Sequence, residues 1–433
     1  MPAADRNAPL PSDPISGAPL PGENRLIWTI WLTYGAFYFC RTNISAAVPG
    51  LKASADVGGM GLSELQVGYI LASLKIAYGI GQLFNGQFSE QVSPRKLLAF
   101  GMLCSAALNV LFGFGTGFYF LLFVWACNGY CQSLGWTPCV RVLANWIPVL
   151  RRGKAIGIVG TGYQVTAGLT YVVAGQAAEY YGWRGAFYVP SAILVAAAII
   201  MLLFLEESPR QETEDGRVAE NRTSVARERG SWLGNLLVTL SNPSLWLLGL
   251  SLGLLNACRY GFIDWGLTHL KEVQGTGVGR ASLKYAVLPI GAVAGSYLAG
   301  WATDRFFGGR RAPTICLLLF LLAALSLGYD AVARMSVEGT LVLLVCIGFC
   351  IYGPQVLLVG TAPADLARRG TSAAAAGFVN FMGYMGAASG DAVTGLILES
   401  YDWQMAIYFW ASCAFVAALT SAALWNASAN QGY

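Results

Sequence analysis

Charge is scarce in this chain. Only 12% of its 433 residues are Asp, Glu, Lys or Arg, about half the share of an ordinary soluble domain. Histidine is scarcer still, represented by His269 alone, which reads as structural or exposed. The ten cysteines do not compensate with a metal site. Cys127/Cys131 and Cys346/Cys350 are i,i+4 pairs without companion ligands, and all ten lie in apolar runs as small packing residues. No nucleophile–base pairing, metal-ligand cluster or phosphate-binding glycine loop occurs, which argues against an enzyme. Neither a cofactor nor a nucleic-acid partner is expected.

What is present is apolar. Hydrophobic residues make up 55% of the chain and the mean hydropathy is +0.54. The apolar residues fall in runs long enough to cross about 30 Å of hydrocarbon as helices. Twelve such runs are read: 25–49, 65–89, 95–113, 117–144, 154–178, 184–205, 244–268, 281–303, 312–332, 338–362, 371–397 and 403–426. They predict an all-α polytopic membrane protein of twelve transmembrane helices. The predicted organisation is a tail (1–24), a six-helix bundle (25–205), a linker (206–243), a second six-helix bundle (244–426) and a short tail (427–433). The first tail, rich in Pro, Ala, Ser and Gly, reads as disordered and without a cleavable signal. The 52 glycines suit backbones packing closely in lipid.

Loop charges set an expected orientation. Arg95 and Lys96, then Arg151, Arg152 and Lys154, then Arg305, Arg310 and Arg311, then Arg368 and Arg369 all fall in alternate connections, with five more arginines in the linker. The positive-inside rule puts these, and both termini, in the cytoplasm. The expected location is the cytoplasmic (inner) membrane.

Two arginines break the apolar pattern. Arg41 and Arg259 each lie deep in a predicted span, one per half. An arginine at that depth costs a few kcal/mol, so it is rarely there without a use. Guanidinium is permanently charged and donates parallel hydrogen bonds, which suits an oxyanion. The pair therefore reads as an anion clamp with one member per bundle. Pairing to a fixed carboxylate has little support: on an ideal helix Asp264 stands about 140° round from Arg259, and the first span has no acid.

The halves also repeat in their loops. Gly86…Glu90…Arg95-Lys96 follows the second span and Gly300…Asp304-Arg305…Arg310-Arg311 follows the eighth. This pattern resembles the loop motif of the major facilitator superfamily, whose two bundles rock about a central site. Within it, the chain resembles the organophosphate:phosphate antiporters, carriers of glycerol phosphate, hexose phosphate and phosphoglycerate. The resemblance rests on Tyr38-Phe39-Cys40-Arg41-Thr42-Asn43, Asn128-Gly129…Gln132…Gly135-Trp136-Thr137-Pro138-Cys139-Val140-Arg141, Arg259-Tyr260-Gly261-Phe262-Ile263-Asp264-Trp265, Tyr352-Gly353-Pro354 and Ala375-Ala376-Gly377-Phe378.

It implies that Arg41 and Arg259 grip a substrate phosphate, that exchange for inorganic phosphate drives uptake, and that the protein is monomeric. Lys75 is a further cavity cation, seven residues before the family's usual lysine position, which Gln82 fills. Lys284, in a similar Ala-Ser-Leu-Lys setting, is either a site residue or an interfacial lysine. Tyr163 and Gln164 stand where the glycerol- and hexose-phosphate carriers have His and Asn, and Pro289 replaces a glutamate of some members. Tyr34, Tyr38, Tyr78, Tyr260 and Tyr384 are candidate cavity donors. Arg141, Glu90, Arg95, Asp304, Arg305 and Asp264 are expected in gating or structure. Asp391 is either a coupling site or a partner of Lys284.

The expected function is import of a small phosphorylated organic anion against phosphate, with Lys75 favouring a second anionic group on the ligand. A proton- or sodium-coupled anion symporter and a transporter-like sensor are the alternatives.

Overall fold

Without water to bond to, a backbone in hydrocarbon must satisfy its own N–H and C=O groups, which leaves helices as the way across for these runs. A computed structural model of the chain describes residues 20–209, 238–367 and 372–426, and these are helical with no strand among them. The first half comprises α1 (Glu23–Ala36), α2 (Ile44–Lys52), α3 (Glu64–Gln91), α4 (Pro94–Gly113), α5 (Phe118–Gln132), α6 (Trp136–Trp146), α7 (Val149–Tyr181) and α8 (Gly185–Phe204). The second comprises α9 (Pro243–Tyr260), α10 (Gly266–Gln274), α11 (Val278–Tyr285), α12 (Leu288–Phe307), α13 (Arg311–Leu327), α14 (Tyr329–Met335), α15 (Val337–Val356), α16 (Ala362–Leu366), α17 (Ser372–Ser400) and α18 (Trp403–Ala422).

Among the described residues, eight helical segments are long and apolar enough to span a membrane, or nine if α13 and α14, bent by 46°, form one span. The expected number was twelve. Two of the differences are breaks: run 25–49 is interrupted by a 3₁₀ turn at Phe37–Cys40 and run 117–144 by a turn between α5 and α6. Run 371–397 is the long helix α17, whose apolar content is diluted by glycines, serines, Asn380 and Asp391.

The break near Arg41 is supported from outside the helix. Asn128 Nδ2 donates to the Cys40 carbonyl at 2.9 Å and Asn109 Nδ2 to the same oxygen at 3.2 Å. Gln132 Nε2 donates to the Phe37 carbonyl at 3.1 Å and to Ser105 Oγ at 2.8 Å. Carbonyls freed by the break are thus re-satisfied in the dry interior. A second irregularity follows Arg259: a π-helical turn over Gly261–Trp265. Its carbonyls accept from neighbouring tyrosines, Tyr285 Oη to Phe262 at 2.5 Å and Tyr171 Oη to Ile263 at 3.1 Å.

The halves meet along α3 and α17, which run antiparallel. Glycine lets them touch: a Cβ on Gly68 would stand 2.7 Å from the Asp391 carbonyl, and one on Gly395 2.6 Å from the Glu64 carbonyl. Beyond this seam, at the end away from Glu23 and Asn426, Lys52 Nζ bridges Glu64 (2.5 Å) and Glu272 (2.8 Å) across the halves. There too Glu399 accepts from the Leu65 N–H at 3.2 Å and Gln176 donates to the Gly279 carbonyl at 3.1 Å. The halves are joined at that end.

At the opposite end the charged loops tie helices within each half. Arg95 bonds the Leu202 carbonyl, and Arg141 Nη1 donates to the Val92 carbonyl at 3.0 Å. Asp304 pairs with Arg311 at 3.0 Å, which also reaches Asp365 at 3.3 Å, while Arg305 is exposed. The side chain of Glu90, together with Arg368, Arg369 and the linker arginines, lies outside the described residues.

Candidate functional site

Between the halves lies a narrow cavity, bordered by Arg41, Lys75, Arg259 and Asp264 and walled by Tyr38, Tyr171, Tyr260 and Tyr352. Both guanidiniums are buried, 5% and 3% exposed. Neither has a carboxylate within ion-pair distance among the described residues, and Arg41 Nε and Nη2 and Arg259 Nε have no hydrogen-bond partner. Among the described residues Arg259 makes two long hydrogen bonds, Nη1 to Asn256 Oδ1 at 3.5 Å and Nη2 to Tyr352 Oη at 3.4 Å.

Aromatic faces do the positioning. The Arg41 guanidinium stands 3.9 Å from the Tyr78 ring centroid and 5.1 Å from that of Tyr38. That of Arg259 stands 4.8 Å from Tyr260 and 4.9 Å from Tyr352. Such stacking holds a planar cation while leaving its N–H edge free. Rings also bridge the halves, Tyr78 with Tyr384 at 4.4 Å and Tyr163 with Tyr352 at 6.3 Å. Tyr163 itself stacks on Tyr38 at 5.1 Å, beside Tyr34 at 6.0 Å.

Lys75 is not a free cavity cation. Its Nζ contacts Asp264 and lies 2.7 Å from Asp391 Oδ2, with all three side chains buried. The π-turn is what alters the sequence reading: it adds a residue to the turn, so Asp264 borders the same cavity as Arg259 rather than pointing elsewhere on a regular helix. Asp391 is therefore the partner of Lys75, not of Lys284. Lys284 sits on the last turn of α11, before the helix breaks at Ala286, and donates to Gln274 Oε1 at 2.7 Å away from the cavity. Gln164 donates across the halves to Ser296 Oγ at 2.7 Å. His269 is buried against Asp330, 2.8 Å from its Oδ1. Among the described residues no cluster of metal-ligand type occurs.

Sequence reasoning passed over Tyr171, Tyr352 and Asn256 as site residues, and Asn109 as a brace. Only Tyr352, beside Gly353-Pro354, carried a signal. The others are single polar residues in apolar runs, and their direction is set by packing.

The family model of the Major Facilitator Superfamily matches residues 30–390. The chain belongs to that superfamily. It is a multi-pass membrane transporter by family, and its curated relatives match the organophosphate:phosphate antiporter group. A probable hexose phosphate transport protein of Chlamydia trachomatis is 29% identical over 93% of this chain and 91% of its own length. The glycerol-3-phosphate transporter of Bacillus subtilis is 29% identical over 92% and 91%. The membrane sensor protein UhpC of Escherichia coli is 27% identical over 88% and 87%.

Proposed function

We propose that this chain imports a small phosphorylated organic anion, a phosphate ester or a phosphonate, across the cytoplasmic membrane in exchange for inorganic phosphate. One observation carries the reading. Two buried arginines, one from each half, face one cavity without a carboxylate partner. A phosphate dianion supplies the charge that this pair lacks, and its oxygens accept the open guanidinium edges. The relatives named for hexose phosphate and glycerol-3-phosphate have different organic parts; the phosphate is what their substrates share.

Alternating access follows from the electrostatics. Two unliganded guanidiniums repel, so an empty carrier resists drawing its halves together around the site; a bound anion removes that repulsion. Crossing over is then easier loaded than empty, which is the requirement for exchange. With the basic loops cytoplasmic, the joined end faces outward. The proposed carrier works as a monomer, because both arginines come from one chain.

The test is counterflow in proteoliposomes loaded with labelled inorganic phosphate. Efflux that needs an external phosphate, phosphate ester or phosphonate, persists without proton or sodium gradients, and vanishes in Arg41→Lys and Arg259→Lys supports the reading. Uptake that instead requires a gradient and loses it in Asp391→Asn favours cation-coupled symport, for which the buried Asp391 is the observation. Tight phosphate binding with negligible flux favours a sensor, as the relationship to a membrane sensor protein allows.

A further inference from the structure

Two carboxylates share one ammonium in this site. Asp264 and Asp391 both pair with Lys75, so two carboxylates compete for one ammonium a short way from the arginines. Asp264 is the member that borders the cavity. Lys75 also lies 4.9 Å from the Tyr260 ring, whose other neighbour is the Arg259 guanidinium at 4.8 Å. One tyrosine thus separates the arginine side of the cavity from its acidic side.

With both acids ionised, charge counting over these five side chains gives three positive and two negative, one net positive charge. A ligand with a phosphate and a second anionic group brings about three negative charges and places one of them against Asp264. A ligand with a phosphate and an ammonium brings about one, and places its cation against Asp264 and the Tyr260 face. We infer that the substrate class is a zwitterionic aminoalkyl phosphonate or phosphate, its phosphorus end on Arg41 and Arg259 and its ammonium on Asp264 beside Lys75. This rests on the phosphate site proposed above and reverses the expectation that Lys75 selects a second anion. Lys75 in the ligand-free cavity occupies part of the acidic pair that the ligand's own ammonium would share. Ligand binding then leaves Asp391 to Lys75 and gives each carboxylate a cation of its own.

The experiment measures competition against labelled inorganic phosphate on the purified full-length protein, with probes differing in one group. Aminoethylphosphonate is compared with propylphosphonate, in which a methyl replaces the ammonium, and with carboxyethylphosphonate. A charged group that keeps its hydrogen-bonded partner in a buried site outbinds an apolar isostere, so the amine is expected to bind at least about tenfold more tightly than the methyl compound, with the carboxylate weakest. Phosphoethanolamine in the same assay distinguishes a phosphate ester from a phosphonate. In Asp264→Asn the amine preference collapses toward unity, while Asp391→Asn reduces it less. Equal binding of the three phosphonates, or tightest binding of the carboxylate, overturns the inference and leaves the phosphate site standing. Absence of binding by phosphate and all phosphonates overturns the phosphate site, and this inference with it.

Discussion

Lys75 Nζ lies 2.7 Å from Asp391 Oδ2, an ion pair that ties α3 in the first half to α17 in the second. It sits between the glycine seam of those helices and the arginine pair, with Asp264 as its other partner. Any motion that parts the halves at the joined end has to break it.

Removing the lysine therefore leaves two buried acids unpaired. Lys75→Met should destabilise the protein by about 3–5 kcal/mol, the usual consequence of breaking a buried pair from one side. Adding Asp391→Asn to that variant should recover part of the loss. Thermal unfolding in detergent across the two single variants and the double reads the coupling; additive effects would contradict a direct pair.

The arginines should behave in the opposite way. Each is a buried charge without a counter-ion, so Arg259→Gln is expected to raise the melting temperature of the ligand-free protein. It should also abolish the upward shift that inorganic phosphate gives the parent. A variant that is less stable and still responds to phosphate would remove Arg259 from the site.

Stacked guanidinium is not replaced by ammonium. Arg41→Lys keeps the charge but loses the planar face against Tyr78 and the paired donors, so phosphate affinity should fall about 100-fold. Equilibrium binding of labelled phosphate measures it, and an unchanged affinity would show that charge alone suffices.

The glycine seam sets how closely the halves approach. Gly68→Leu should wedge α3 from α17, lengthen the Lys52–Glu272 separation and trap the joined end open. Spin labels placed beside that bridge, at positions 54 and 271, would report a longer, broader distance than in the parent, and counterflow should slow. An unaltered distance would mean that the seam does not control closure.

Much of this was legible in the chain itself. Low charge and long apolar runs dictate a helical membrane protein, because hydrocarbon admits few other backbones. Arg41 and Arg259 stand out because a charge at depth has a cost that local sequence does not offset. The loop repeat and the Arg-Tyr-Gly-Phe-Ile-Asp-Trp stretch, residues 259–265, carry the family. Which partners the deep charges take was not legible. Asp264 is hidden by the π-turn, since a regular helix turns it away from Arg259. Lys75 and Lys284 share a local setting, yet one is enclosed by two acids from the other half and the other bonds Gln274. The 3₁₀ break before Arg41 depends on Asn109, Asn128 and Gln132, which come from other helices. Composition and periodicity are local and fix what must be buried; the pairing of buried charges is a contact between distant segments, and only their packing decides it.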